Sequence, residues 1–214
     1  MRPAPFRLLP ATLLRATLSI ALVAALSACG GSDDDDAAPS ASPRSVASLR
    51  LIGEQRVAFK QTVQDTPAGG LSGIDYDPRT QRWIVVSDDR SDLAPARLYE
   101  AQLNYDDKAF TRVALTHAVT LKQPDGSVYP SATQFAQRGG TVPDPEAIRF
   151  DPSDSSLWVT SEGNRSLGLD PVALHVANTG AAIGQLTTPA LFRMSPSQEL
   201  GSRNNATYEG LTFA

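Results

Sequence analysis

SGIDYDPRTQRWIVVSDDR, residues Ser72–Arg90, returns without a gap as EAIRFDPSDSSLWVTSEGN, residues Glu146–Asn164. In register, Ile74 matches Ile148, Asp77 matches Asp151, Pro78 matches Pro152 and Ser87 matches Ser161. Tyr76 stands opposite Phe150, and Asp88 opposite Glu162. A third copy opens at Glu209 as EGLTFA and stops at the last residue, Ala214. Each full copy reads strand, Asp-Pro turn, strand, acidic turn. One hairpin repeated along a chain is the mark of a radial or stacked array, whose units bury their apolar faces against one another.

Working outward, the chain changes character at Leu49. From there it runs in short β-rich stretches: Leu49–Ile52, Arg56–Gln61, Gly73–Tyr76, Trp83–Ser87, Arg97–Leu103 and Phe110–Leu115. Gly, Pro, Asp and Asn clusters separate them, and β-branched and aromatic residues fill them. Later strands are expected near Ala147–Phe150, Leu157–Ser161, Val172–Val176, Ala190–Met194 and Tyr208–Phe213. No stretch after the first thirty residues carries a helical period over ten or more positions. A polar insertion between His117 and Pro145 carries an Asp125-Gly126 turn signal. The expected fold is all-β: a propeller-like array of antiparallel hairpins, incomplete in this chain. Four-stranded blades close a ring only when several are present, so two units and a stub point to an N-terminal fragment of a longer protein.

The first residues have another purpose. Arg2, Arg7 and Arg15 precede the apolar run Ala16–Leu26, which ends in Leu26-Ser27-Ala28-Cys29. A basic start and a short apolar run make an export signal, too short to span a bilayer comfortably. Small residues before the single cysteine resemble a bacterial lipobox, which implies cleavage before Cys29 and its lipidation; the alternative is a plain secretory signal. One cysteine cannot form an internal disulfide in an oxidising compartment, and a lipid-bearing Cys29 accounts for it better. By the Gram-negative sorting rule that this resemblance implies, Gly30 after the cysteine favours delivery to the outer membrane, or a periplasm-facing position, in the cell envelope. Residues 1–28 then form the signal, 29–48 an acidic tether without apolar periodicity, and 49–214 the β domain.

Cleavage would leave 16 of the 19 basic residues against 23 acidic ones, a formal charge of −7. Such a surface argues against nucleic acid, whose phosphates want a basic partner.

Taken together, GGLSGIDYDP…WIVVSDDR, DPEAIRFDP…LWVTSEGN, PALFR and NNATYEGLTF resemble the phytase-like family, also described as esterase-like activity of phytase. The resemblance covers Leu51 to Ala214. It implies a six-bladed-propeller-like fold in exported bacterial proteins, often lipoproteins, with a hydrolase activity on phosphate or carboxylic esters.

The acids repeat with the hairpin. Asp88, Asp89, Glu146, Glu162 and Glu209 sit at equivalent ends of the unit, and in a radial array equivalent ends converge. Carboxylates sharing a funnel repel unless a cation or protons intervene. Hard oxygen donors suit Ca²⁺ or Mg²⁺. The metal set is therefore Asp88, Asp89, Glu146 and Glu209, with Glu146, Glu162 and Glu209 as the catalytic acids; the competing reading is that these acids cap turns between blades. Arg90 and Arg165 each follow an acidic turn and are the candidates to clamp a phosphate or other small ester, against ion pairing with the nearby acids; Arg97 and Arg149 come behind them. His117, near the insertion, is the one histidine placed to act as a base, whereas His175 lies within a strand. Gly70-Leu71-Ser72-Gly73 misses the G-x-S-x-G elbow. Two functions remain: a metal-assisted phosphoesterase or esterase, and a non-catalytic propeller scaffold that binds a ligand or partner at the cell envelope.

Overall fold

A computed structural model describes residues 45–213. The export signal, Cys29 and most of the tether lie outside the described residues. Within the unit Arg50–Ala214, a two-residue ladder comes first: β1 (Thr62–Val63) antiparallel to β2 (Thr66–Pro67). The first copy of the repeat then forms β3 (Leu71–Asp77) and β4 (Arg82–Ser87), followed by β5 (Arg97–Tyr105) and β6 (Phe110–Thr120). These four pair antiparallel in chain order. A short helix, α1 (Ala132–Arg138), lies in the polar insertion. The second copy repeats the meander as β7 (Pro145–Phe150), β8 (Leu157–Ser161), β9 (Val172–Val176) and β10 (Ala182–Gln185). The protein is an all-β, propeller-like array with two four-stranded blades among the described residues.

Side-chain alternation decides which face of each blade is buried. Ile84 and Val86 of β4 point one way, into a core shared with Leu98, Ile148, Phe150, Val159 and Val176 of both blades. Val85 points the other way, into a second core with Val63, Ala68, Tyr99 and Leu115. The β1–β2 ladder supplies Val63 to that second core. Each such Val, Leu or Ile contributes roughly 1.5–3 kcal/mol by leaving water.

The two inner strands, β3 and β7, meet directly. A side chain at Gly73 would put its Cβ 2.8 Å from both Ala147 Cα and Glu146 O, so only glycine permits the approach. Inter-blade hydrogen bonds fix the register: Phe150 N–H donates to Asp75 Oδ2 (2.9 Å) and Arg149 Nη1 donates to Ile74 O (3.1 Å). At the Asp-Pro turns, Arg79 N–H donates to Asp77 Oδ1 (2.9 Å) and Ser153 N–H to Asp151 Oδ1 (2.8 Å). Burial would raise the Asp77 carboxyl, but hydrogen bonds from Arg79, Ser155 and Thr80 outweigh it and hold it at about 2.

Four expected strands are absent among the described residues. Leu49–Ile52 and Arg56–Gln61 contain no strand residues; Leu51 and Phe59 are exposed, because the first blade is already complete within Leu71–Thr120. Ala190–Met194 is instead a 3-10 turn at Ala190–Phe192, following Pro189. Residues 208–213 join no ladder among the described residues, since no partner strand lies beside them.

Candidate functional site at the acidic end of the inner strands

The same local device builds the acidic end of each blade. Ser87 Oγ donates to Gly69 O (2.7 Å), and Asp88 N–H donates to Gly70 O (2.7 Å). In the second blade Asp144 N–H donates to Ser161 Oγ (2.9 Å), and Glu162 N–H donates to Asp144 O (3.0 Å). The inner strand of each blade also carries a register irregularity, at Leu71/Gly73 and at Pro145/Ile148. Such bulges re-aim a side chain. Here they bring Ser72 Oγ to donate to Glu146 Oε2 across the blade interface.

Asp144, Glu146 and Glu162 thereby converge, each offering a carboxylate oxygen within 4.8 Å of the others. Asp144 and Glu162 are buried, and Glu146 is half-buried. Glu162 Oε1 accepts Thr207 N–H (2.7 Å), and Thr207 Oγ1 donates to Glu162 O (3.2 Å). That clamp delivers Glu209, two residues on, to the rim. Burial pushes Asp144 up to about 7; Arg90 opposes the rise, and Glu162, Glu146 and Asp88 add to it. Glu146 is raised by burial, with Ser72 opposing and Glu209 and Asp88 reinforcing. Glu162 is raised by burial against the Thr207 N–H, with Glu209 and Glu146 reinforcing. Burial is thus the first cause of all three rises, and neighbouring carboxylates add to each.

Beside the trio lies a cavity of about 370 Å³ whose lining includes Lys60, Gly70, Asp88, Arg90, Asp144 and Glu146. Asp88 is exposed and leans over Gly70, where a Cβ would sit 1.7 Å from Asp88 Oδ1. Arg90 Nη1 stands 3.4 Å from Asp144 Oδ2, its side chain 45% exposed and free to take a second anion.

Other sequence candidates are engaged elsewhere. Asp89 pairs with Arg97 Nη1 (2.7 Å) and accepts the N–H groups of Asp92, Leu93 and Ala94. Its carboxyl is buried, but those donors, Arg97 first, hold it below the usual range. Its acceptors are spent on the loop, so it leaves the metal set. Arg97, in turn, is buried on Asp89 and on Pro67 O (2.7 Å). The Arg165 guanidinium donates to the carbonyls of Ser195, Gln198, Leu200 and Ser202, pinning that loop rather than facing the cavity. Arg149 holds the blade interface, and His117 is exposed on β6, the outermost strand of its blade. Asp144 is the residue that sequence reasoning missed. It aligns with Gly70 rather than with an acid, so the repeat hides it; its place between Pro143 and Pro145, two residues before Glu146, was the available signal.

The model of the phytase-like family, described as esterase-like activity of phytase, matches residues 66–214. The chain belongs to the phytase-like family. The match takes in both blades, every acid of the cluster and Arg90. No curated protein and no solved structure matches this phytase-like chain. Its acidic cluster is a group that could hold a metal ion.

Proposed function

We propose that this phytase-like protein is an exported, lipid-anchored hydrolase of phosphate or carboxylic esters that works with a hard divalent cation, Ca²⁺ or Mg²⁺. The observation that carries the reading is the meeting of Asp144, Glu146 and Glu162 within 4.8 Å beside Arg90 and an open cavity. The donor set is all carboxylate oxygen, without sulfur or imidazole, and suits Ca²⁺ or Mg²⁺. Burial and mutual repulsion raise the proton affinities of these acids, and a cation bound there would compete with those protons. The chemistry supplied by a bound cation is polarisation of the ester's phosphoryl or carbonyl oxygen. The chain's own groups do the rest. Asp144, Glu146 and Glu162 hold the ion, and Asp88 adds charge from the cavity wall. Arg90 orients the anionic oxygens of the ester through its guanidinium. Glu209, exposed at the rim, takes the proton of the attacking water as the ester bond to the leaving oxygen breaks.

Release of p-nitrophenol from its phosphate and acetate esters, with Ca²⁺, with Mg²⁺ and with chelator, tests the activity. Cation-dependent turnover that Glu146→Gln abolishes and Glu209→Gln reduces is expected. Turnover indifferent to both substitutions removes this site. Absence of turnover on any ester supports the rival reading, a propeller scaffold binding a ligand at the cell envelope; the structural duties of Glu146 toward Ser72 and of Glu162 toward Thr207 favour that reading.

The anchor rests on the lipobox-like sequence before Cys29. Two or more acyl chains, at about 0.8 kcal/mol per buried CH₂, hold a protein to a membrane where one does not. Envelope fractionation should find the native protein with the outer membrane and the Cys29→Ser variant absent from it. Equal membrane retention of both would refute lipidation.

A further inference from the structure

At the opposite end of β7, about 16 Å along the strand, the second blade carries a cluster that the first blade lacks. Asp151, Asp154 and His175 each present one donor atom within 4.8 Å of the others. We propose that the Asp-Pro turn of the second blade is a surface site for a divalent transition-metal ion of the zinc class, ligated by these three side chains.

The repeat supplies an internal control. In the first blade the same turn is built by Asp77, Arg79 and Thr80, with Gln81 at φ 55° where the second blade has Ser155 at φ 64°. There Arg79 Nε neutralises Asp77 directly (3.0 Å). Arg82 pairs with Glu100 across β4 and β5. In the second blade those positions read Asp151, Ser153, Asp154, Ser156 and His175. Folding the turn therefore needs neither Asp154 nor an imidazole. Both arginines have been replaced by serines while a second carboxylate has been added. Among the described residues, no lysine or arginine forms an ion pair with the carboxylate of Asp151 or Asp154; Arg79 Nη2 reaches only the Asp151 carbonyl (3.0 Å).

The donors are also held from behind, as metal ligands commonly are. Trp158 Nε1 donates to Asp151 Oδ2 (2.9 Å), and Ser156 N–H donates to Asp154 Oδ1 (2.8 Å). The His175 ring lies flat on Trp158, centroids 4.4 Å apart at 1°, with Ser156 Oγ 2.6 Å from Nε2. One imidazole with two carboxylates selects zinc, copper or nickel over calcium. Three protein ligands leave room for water or for a donor from elsewhere.

The test is calorimetric titration of the chelator-stripped protein with Zn²⁺, beside Co²⁺ quenching of Trp158 fluorescence in a Trp83→Phe background. One zinc ion per chain is expected at this site, with Co²⁺ quenching that Zn²⁺ reverses. His175→Gln and Asp154→Thr, the latter installing the first blade's residue, should each weaken zinc by at least about tenfold. Glu146→Gln should leave it unchanged, which separates this site from the hydrolytic one. Zinc binding that survives both variants overturns the proposal. So does a folded unmutated protein whose Trp158 emission Co²⁺ does not touch, a readout that needs neither ligand variant to fold.

Discussion

Replacing Asp144 with asparagine removes one buried negative charge while keeping the side chain's size. The Asp144 side chain is 7% exposed, and its carboxyl is pushed from 3.8 up to about 7. Because the folded value lies above the unfolded one, the native state holds this proton more tightly. Its contribution to stability is full below about pH 4 and is lost as pH rises through about 7. At about 1.36 kcal/mol per pH unit, the whole loss is roughly 4 kcal/mol. Asp77, held at about 2, titrates beneath this window, whereas Glu146 and Glu162, also raised, add a loss of the same sign that the variant keeps in part. In chelator, urea or thermal unfolding of the wild type should weaken between pH 4.5 and 8, by roughly 10 °C in Tm for a chain of this size. Asp144→Asn should match the wild type near pH 4 and exceed it at pH 8. Added Ca²⁺ should restore the wild type at pH 8 and do less for the variant, because ion and proton compete for the same oxygens. A wild type as stable at pH 8 as at pH 4.5 without cation, or a variant that follows its pH dependence, refutes the reasoning.

Gly73→Ala forces a methyl group onto the Ala147 and Glu146 backbone. Overpacking of this kind costs about 1–3 kcal/mol, read as a lower urea midpoint, and it should also weaken cation binding by moving Ser72 off Glu146. Arg97→Met strands the Asp89 carboxylate, and a loss of about 3–5 kcal/mol is expected on equilibrium unfolding; a change within error would mean that water reaches Asp89. Arg165→Met frees the carbonyls of residues 195–202, so faster proteolysis in that loop should appear while KM for an anionic ester stays unchanged. Arg90→Met should do the reverse, raising KM and sparing the loop.

The repeat made β3, β4, β7 and β8 legible, because β-branched alternation and Asp-Pro turns are local signals, whereas β10 carries no such signal. Expected strands at 49–52, 56–61, 190–194 and 208–213 failed for one shared reason: an apolar run becomes a strand only where an edge is free to pair with it. The site was partly legible. Glu146, Glu162 and Glu209 were chosen as equivalent hairpin ends, and the folded chain brings them to one end of the blades. Asp88 and Asp89 could not be told apart in advance. Successive side chains point to opposite sides, and only the buried Arg97 decides which of the two is consumed. The same holds for Arg90 and Arg165, whose fates depend on which carbonyls lie within reach.

By itself, then, the sequence determined the β class, the repeated hairpin and the acidic balance, all of which are properties of neighbouring residues. Tertiary structure alone decided that Asp144 joins the cluster, that Asp89 and Arg165 leave it, and that burial raises the proton affinity of the carboxyls there. Burial and mutual repulsion exist only once two blades have packed through Gly73, bringing distant charges into one poorly solvated place.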